Sequence, residues 1–552
     1  MKKFLKWLDD LAGTNRENTL LQWLELIAFV FLVLMVVSAP HSIAATQTAW
    51  IIGMFVWSVG LIATLPFRPL SRNNPAHATA AGSHRDSRQD AGVMGRKTLL
   101  FALWGFFIWS VITSVFSYDP ATSLDKLRGT ALFLIVYFVI YNLRSLRAVY
   151  FIVFALILSC MVNVVWTPVQ RLIGRGVEIH GLRPESPLAK ALLWEGDTLL
   201  TANGKSIGTP ENVLAEIEEN EVTNVKFYRP DFEFSVDVKQ ADVLSGSNAL
   251  ERLGIESWKK SRNWRSSGFY GHYTTYAEVL QLIISLVFGL IVARLSGRRG
   301  ETGRDEETSK QVPLSPLLFI TSTPFLLISL VGMSLALLLT VTRASQLALI
   351  VSAFFIILIG AGRKWLLAAA VVGLPVILIG LFFLQQSRQV GFFDPNDESI
   401  RWRQTVWREG FGLWTENPRH FVFGVGMDSI KKYAKEWHLF DDGRLNMGHF
   451  HSTPLQLLVE RGLPALLIWL IVLGIYARTL WKGLKTASSG DLRSRGILLG
   501  CLGGIIGFFT SSLVHYNLGD QEVVMVFFLL TGIGVKITEL AAKQFVSLST
   551  TE

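Results

Sequence analysis

The sequence predicts an α-helical protein that crosses a membrane about twelve times. Of its 552 residues, 50% are hydrophobic and only 17% are charged, and the mean hydropathy is +0.39. A soluble chain of this length would expose more charge. The net charge of +9 comes mostly from Lys and Arg in short segments between apolar stretches, as the positive-inside rule expects. A nucleic-acid partner is therefore not expected.

Apolar stretches long enough to span a bilayer recur along the chain. With the amino terminus in the cytoplasm, every short connection rich in Lys and Arg falls on the cytoplasmic side. The first stretch shows no obvious cleavage site, so we expect a retained anchor. The predicted helices lie near 20–39, 48–66, 98–117, 127–143, 148–167, 273–293, 314–340, 345–361, 365–384, 455–478, 496–514 and 521–538.

Two long segments, 168–272 and 385–454, then fall outside the cytoplasm, where chemistry is expected. They divide the chain into alternating membrane and outer parts. The expected domains are membrane helices 1–5 in 1–167, an inserted periplasmic module in 168–250, helices 6–9 in 251–384, a large periplasmic catalytic loop in 385–454, and helices 10–12 in 455–552.

The inserted module differs from the rest in having short β-type runs and polar turns. Ser186-Pro-Leu-Ala189, the turn at Gly196-Asp197 and a helical stretch near 210–219 occur in the order of a PDZ domain, which the module resembles. The resemblance implies a small α+β fold that binds an extended peptide as an added strand. The loop at Gly174–Val177 departs from the usual carboxylate-binding pattern, so a packed spacer or a docking surface is the alternative.

Two outward-facing segments place arginine next to predicted helix ends. Arg265 begins a glycine-rich segment that includes His272 and leads into a helix, whose start favours anions. Arg343 lies between two helices at the outer boundary. An ionisable group there marks a functional site, unless it snorkels toward lipid headgroups.

A third segment carries Arg401, Arg403 and Trp407. The spacing of Arg403 and Trp407 places both on one face of an amphipathic helix. This helix either contributes to a site or simply lies in the membrane interface.

The fourth segment runs from the outer loop into a membrane helix and contains His449, His451 and Glu460. Two histidines at this spacing point together only in extended backbone, and no third ligand has a recognisable spacing, so no metal site is predicted. A histidine acting as general base fits better, because neutral imidazole can take a proton near pH 7.

These segments together resemble the O-antigen ligase and O-antigen polymerase superfamily. The resemblance implies a GT-C-like helical architecture and an inverting glycosyl transfer that uses neither metal nor cofactor. The donor would be an undecaprenyl-diphosphate-linked glycan, and the site would face the periplasm from a bacterial inner membrane. The motifs that occur in the family's order are Arg265-x-x-Gly268, Thr342-Arg343-Ala-Ser, the run from Arg403 through Trp407 and Pro418 to Gly424-Val-Gly426, and His451 with Gln456, Glu460 and Gly462.

The resemblance also implies roles for individual residues. His451 would take the proton of the acceptor hydroxyl. Arg343 and Arg403, with Arg265 as a third, would bind the diphosphate, because guanidinium groups match phosphate in a bidentate way. The further candidates are His449, Arg401, His272 and Glu460.

The acceptor separates the alternatives that the sequence leaves open. A ligase transfers the glycan to lipid A–core, whereas an O-antigen or exopolysaccharide polymerase extends another lipid-linked chain. A polysaccharide or lipid transporter also suits about twelve helices, but no internal repeat is visible. A protein-binding adaptor organised around the PDZ-like module would leave the Arg and His segments unexplained.

Overall fold

The computed structural model separates the chain into two compact units. Unit 1 comprises Met1–Met161, Phe269–Leu338 and Thr342–Glu552, and unit 2 comprises Val162–Gly268 and Leu339–Val341. The predicted helix at 365–384 lies outside the residues that can be described, apart from two single positions. The structure describes residues 2–14, 18–63, 87–229, 232–262, 264–297, 322–361, 367, 371, 398–444, 447–488 and 491–549.

The chain begins with a series of helices. Asn18 caps the second of them by accepting the N–H groups of Leu20 and Leu21. These helices are α1 Lys2–Ala12, α2 Thr19–Ser38, α3 Ile43–Ala63, α4 Ser87–Val115, α5 Pro120–Thr130, α6 Leu134–Asn142 and α7 Leu146–Ile173.

The single membrane helix predicted at 127–143 is instead a bent run. The helix α5 begins earlier than predicted, because Asp119 caps it and Pro120 occupies its first turn. A short 3₁₀ turn, Ala131–Phe133, then separates α5 from α6.

Unit 2 contains an antiparallel sheet. Its strands lie in the order β5-β4-β2-β1-β6, and the short β3 also pairs with β2. Alternate side chains such as Val177, Ile179 and Leu199 enter one apolar core together with Val213 and Ile217 of the longest helix. Its elements are β1 Arg175–His180, α8 Pro187–Lys190, β2 Thr198–Ala202, β3 Lys205–Ser206, α9 Pro210–Glu219, β4 Val222–Arg229, β5 Phe232–Lys239, α10 Ala249–Leu253 and β6 Ser257–Ser261.

The remaining elements return to long helices, with a group of short helices between them. In the described part of the chain, these are α11 Tyr273–Gly297, α12 Thr323–Leu339, α13 Arg343–Gly360, α14 Glu398–Thr415, α15 Pro418–Phe423, α16 Ser429–Tyr433, α17 Phe440–Gly443, α18 Thr453–Thr486, α19 Leu492–Ser512 and α20 Gln521–Ser549.

Nine helices in the described residues are long and apolar enough to cross a membrane, namely α2, α3, α4, α7, α11, α13, α18, α19 and α20. The helix α12 is apolar but shorter. The protein is therefore a polytopic, mostly helical membrane protein, as the composition predicts. The expected count of about twelve spans includes one segment outside the described residues and the bent α5–α6 run.

Small residues allow the helices of unit 1 to pack closely. A Cβ atom at Gly289 of α11 would lie 2.3 Å from the backbone nitrogen of Gly500 in α19. Gly496 and Gly500 are four residues apart, so both face α11 and permit backbone contact. The side-chain hydroxyl groups of Ser285 in α11 and Ser352 in α13 form a hydrogen bond, with the two oxygens 2.8 Å apart. This bundle carries the segments that form the candidate site.

Candidate functional site

The helix α18 is broken close to its first turns. Gly462 has φ 75° and ψ 176°, which interrupts the helical hydrogen bonding, and Pro464 follows it. The freed carbonyl groups are bound from elsewhere in the chain. Val459 O accepts the N–H of Val425 at 2.8 Å, and Glu460 O accepts that of Gly426 at 2.9 Å. The break therefore attaches the segment at Val425 and Gly426 to the membrane helix through the backbone.

Glycine is required where these two backbones meet. A Cβ atom at Gly462 would lie 2.0 Å from the carbonyl oxygen of Val422. One at Gly424 would lie 2.4 Å from the carbonyl carbon of Glu460. Both glycines also have positive φ, which other residues rarely adopt. Their place in the predicted motifs thus reflects close backbone packing.

Glu460 links the loop to the helix through its buried carboxylate. Its Oε1 atom accepts the backbone N–H of Asp428 at 2.8 Å and the side-chain N–H of Gln456 at 2.9 Å. Gln456 in turn accepts the backbone N–H of Phe450 at 2.9 Å. Glu460, one of the predicted site candidates, therefore positions the neighbouring loop.

His449 and His451 lie together on the segment before α18, called here the histidine loop (residues 448–452). Their ring centroids are 4.0 Å apart. His451 has φ 49°, a left-handed conformation that turns its ring toward that of His449. Trp402 of α14 packs edge-on against His451, and Trp407 donates its indole N–H to Phe450 O at 2.8 Å. The amphipathic helix predicted here thus supports the histidine loop.

The region from α14 to the first turns of α18 has an apolar core of its own. Val406 and Phe450 are fully buried within it, and Trp402 and Trp407 pack against its surface. The indole N–H of Trp402 is buried and finds no hydrogen-bond acceptor among the described residues. The region is therefore a packed structure that leaves a donor beside His451.

Burial and positive neighbours keep both histidines neutral. Burial lowers the pKa of His451 to about 2, and the charges of His449 and Arg403 act in the same direction. Burial also lowers the pKa of His449 to about 4, with further contributions from Lys431 and His515. At neutral pH both imidazoles are uncharged, and the low pKa values make them weak bases in this state.

Trp402 connects Arg403 to the histidine loop, and the positive charges of Arg403 and His272 lower the pKa of His451. The guanidinium of Arg403 lies 4.6 Å from the Trp402 ring centroid, which holds it over the indole. His272 precedes α11, and its Nδ1 atom accepts the N–H of Thr274 at 3.2 Å. The site thus combines imidazole and guanidinium groups from three separate segments.

A charged rim lies next to the histidine loop. Asp428 bonds Lys126 at 2.9 Å and Lys431 at 2.8 Å. Burial raises the pKa of Asp428, but the hydrogen bonds from the two lysines outweigh it and hold the pKa below its usual range. Lys432 similarly bonds Asp119 at 3.0 Å. Neither carboxylate was among the predicted site residues.

The remaining predicted residues lie on other elements. Arg343 is the first residue of α13 and is half-buried. Arg401 lies in α14 and is exposed. Arg265 belongs to unit 2, in the segment that follows β6, and is half-buried.

The sequence did not single out the segment after α19. His515 pairs with Glu278 of α11 at 2.8 Å, and Tyr516 lies beside His449 with ring centroids 5.9 Å apart. An acidic residue inside an apolar stretch is a signal that points to Glu278. For Tyr516 there is no such local signal, because only the fold brings it to the histidine loop.

In unit 2, the strand that follows the expected carboxylate-binding loop is paired on both sides. β1 bonds β2 along one edge and β6 along the other. Arg175 of this loop stacks 4.8 Å from the ring centroids of Tyr228 and Trp264. The outer strands of the main sheet are β5 and β6, and the short β3 pairs with β2.

One family model matches the middle part of the chain. Residues 328–470 match the family model described as O-antigen ligase. This match confirms the resemblance to the O-antigen ligase and polymerase superfamily. It includes Arg343, Arg403 and His451, whereas Arg265 and His272 lie before it. A comparison with curated proteins gives no match.

O-antigen ligases are a glycosyltransferase-like class of enzyme, which agrees with the helical membrane bundle. Within the described residues, no group of three His, Cys, Asp or Glu side chains is arranged to hold a metal ion. The arrangement brings imidazole groups and a guanidinium group together through Trp402.

Proposed function

We propose that this protein transfers a glycan from an undecaprenyl-diphosphate donor to an acceptor hydroxyl group. The match to the O-antigen ligase family supports the class. The observation that carries the proposal is His451, which is neutral, packed between His449 and Trp402, and close to Arg403. This places a proton acceptor beside a fixed positive charge, the two groups that such a transfer needs.

The transfer is a single displacement, in which one bond to the anomeric carbon forms as another breaks. The ring of His451 takes the proton of the acceptor hydroxyl while that oxygen attacks the anomeric carbon. The bond from this carbon to the diphosphate oxygen breaks, and undecaprenyl diphosphate leaves. Attack opposite to the leaving group inverts the configuration at the anomeric carbon.

Guanidinium groups stabilise the leaving diphosphate in this proposal. Arg403 acts from α14, and Arg343 and Arg265 act from their own segments. Fixed positive charge replaces the divalent cation that many phosphate-handling enzymes use. Positive neighbours lower the pKa of His451. The negative charge of the bound diphosphate offsets their effect, so binding of the donor raises this pKa and makes the ring a stronger base.

The site faces the periplasm of a bacterial inner membrane in this proposal. The distribution of Lys and Arg supports this orientation. The acceptor is lipid A–core if the protein is a ligase. It is a second lipid-linked repeat unit if the protein is a polymerase.

A transporter is the competing class, and the break at Gly462 is the observation in its favour. Broken membrane helices bind substrates in transporters through their free backbone groups. Here, however, Val425, Gly426 and the Trp109 indole already bind the carbonyl groups at the break. This favours a structural role for the break and supports the transferase proposal.

The test is an in-vitro transfer assay in nanodiscs with a lipid-diphosphate glycan and candidate acceptors. Wild type is compared with His451→Ala and Arg403→Ala, with and without EDTA. We expect transfer in wild type, no effect of EDTA, and loss of about a hundredfold or more in both variants. The acceptor that works separates ligase from polymerase.

Two matched variants control for the substitutions. His438→Ala removes an exposed histidine that pairs with Asp442, and Arg408→Ala removes an exposed arginine of the same helix as Arg403. Both should retain transfer. Retained transfer by His451→Ala would defeat the proposed base, and no transfer by folded wild type with any acceptor would favour transport.

The α+β module of unit 2 is proposed to bind an extended peptide at a free sheet edge, as its PDZ-like motif order implies. The edges available are β5 and β6. Fluorescent peptides titrated into the full-length protein test this. Binding that is lost when Val236 of β5 is replaced by proline would support that edge, because proline removes a strand N–H. Absence of binding by any peptide would favour a spacer.

A further inference from the structure

A buried carboxyl–imidazole pair lies next to the histidine loop and takes no part in the steps above. Glu278 lies in the second turn of α11 and is 2% exposed. Its Oε1 atom is 2.8 Å from Nδ1 of His515, which is 8% exposed. Ionisable groups buried in a membrane helix are expensive, and apolar side chains would pack there more cheaply. The pair therefore calls for a specific role.

His515 connects this pair to the histidine loop through its backbone. Its carbonyl oxygen accepts the N–H of Thr453 at 3.0 Å and the hydroxyl of Thr453 at 3.1 Å. Thr453 begins α18 and is separated from His451 only by Ser452, which caps the helix. The first turn of α18 is thus held from the segment that carries His515.

The residues on either side of this anchor reinforce it. The Oδ1 atom of Asn517 lies 2.9 Å from the Thr453 hydroxyl and shares its single hydrogen with the His515 carbonyl, and the Asn517 amide donates to Phe508 O at 2.9 Å. Tyr516 lies beside the ring of His449. Positive charge on His515 would also lower the pKa of His449 and His451.

We propose that Glu278 and His515 are a positioning pair for the transfer reaction. The hydrogen bond from His515 to Glu278 fixes the segment after α19. The carbonyl of His515 then fixes the start of α18, so that His451 is held toward the acceptor hydroxyl. The inference rests on the proposed function for the identity of the reaction, but the structural link is independent of it.

Two substitutions of Glu278 distinguish the effect of its hydrogen bond from the effect of its charge. Glu278→Gln retains an oxygen that accepts the imidazole N–H, whereas Glu278→Leu removes the acceptor at similar volume. Glu539→Gln is the matched control, because Glu539 is also buried in a membrane helix, where it pairs with Arg96 at 2.8 Å. Glu539 lies about 27 Å along α20 from the end next to His515.

The first readout is transfer kinetics. In Glu278→Leu we expect kcat to fall at least about tenfold with the donor KM changed by less than about twofold, because misplacing a catalytic group slows the chemical step. We expect Glu278→Gln to retain kcat within about threefold and Glu539→Gln to behave like wild type. Equal losses in the Gln and Leu variants, or normal kcat in the Leu variant, would overturn the proposal.

The second readout is hydrogen exchange of the peptide covering residues 449–455, which needs no activity. The Thr453 amide should exchange faster in Glu278→Leu than in wild type, and unchanged exchange would overturn the proposal. If this variant does not fold, His515→Phe removes the same bond and keeps the ring volume. Absence of transfer in wild type would refute the proposed function alone, since the exchange result stands by itself.

Discussion

The indole of Trp402 meets the ring of His451 edge-on, with the ring centroids 4.8 Å apart and the planes at 68°. The same indole carries the guanidinium of Arg403 over its ring, 4.6 Å from the centroid. One aromatic side chain of α14 thus orders the proposed base and the proposed phosphate-binding group together.

Replacing Trp402 should impair catalysis without unfolding the protein. Edge-to-face and cation–π contacts each contribute about 1 kcal/mol, so we expect Trp402→Ala to lower kcat/KM about tenfold to a hundredfold. Trp402→Phe keeps the ring but not the N–H, and we expect a smaller loss. Transfer kinetics measure both. If Trp402→Ala is as active as wild type, the indole does not order these groups.

The hydrogen bond from Trp109 should stabilise the broken helix. Its indole N–H bonds Arg461 O at 2.9 Å, next to the break. Trp109→Phe keeps the stacking on Phe423 but leaves this carbonyl without its donor, which costs about 1–3 kcal/mol. We expect a lower thermal unfolding midpoint in detergent.

Trp104→Phe is the control for this prediction, because Trp104 lies in the same helix and donates to Tyr137 at a more exposed position. Its loss should have little effect on the midpoint. Equal midpoints for the two variants would contradict a special role for the carbonyl at the break.

Alanine at Gly462 should be strongly destabilising. Its φ of 75° disfavours any Cβ atom, and Val422 O would lie only 2.0 Å from one. We expect a loss of at least about 2–3 kcal/mol, seen as a lower unfolding midpoint and weak expression. Gly474→Ala, in the regular part of α18 with open space around its Cβ position, should be neutral or stabilising. A Gly462→Ala variant as stable as wild type would show that the break is not required.

Acid should destabilise the protein through the histidine loop. Burial lowers the pKa of His449 to about 4 and that of His451 to about 2, from an ordinary value of 6.5. As pH falls below 6.5, the unfolded chain binds protons that the folded loop does not, so stability is present above that pH and declines toward these lower values. Each histidine contributes a slope of up to about 1.4 kcal/mol per pH unit.

The measurement is the unfolding midpoint between neutral pH and the acid limit of solubility. Replacing both histidines with glutamine should flatten the dependence, since glutamine does not titrate. An unchanged slope in the double variant would show that other groups cause the acid sensitivity. His420→Gln is not a suitable comparison, because its ring bonds Tyr118 at 2.8 Å.

Local patterns were sufficient for much of the helical architecture. Runs of apolar residues predicted α2, α11 and α19 close to their observed positions, because a bilayer demands about 20 apolar residues wherever a helix crosses it. The helix predicted at 127–143 overlaps the α5–α6 run but misses its start. There a capping residue and a proline at Asp119-Pro120 begin a helix earlier than hydropathy alone suggests.

The role of Glu460 shows where motif reasoning stops. Its place after His451 in the family's motif order made it a site candidate, and the structure shows that its carboxylate accepts the backbone N–H of Asp428. Its partner Asp428 lies on a separate segment of the chain, and motif order along α18 does not reveal that contact. The roles of Arg343, Arg403 and Arg265 at the diphosphate remain predictions for the same reason.

The sequence by itself determined that this is a multi-span membrane protein with arginine and histidine motifs in the order of one superfamily, because hydropathy and motif order are local properties of the chain. Only the tertiary structure decided which of those groups meet. Trp402, Arg403 and the histidine loop come together with Tyr516 and the Glu278–His515 pair across long separations. Such contacts arise from packing and from the need of buried polar groups for partners, which depend on the whole fold.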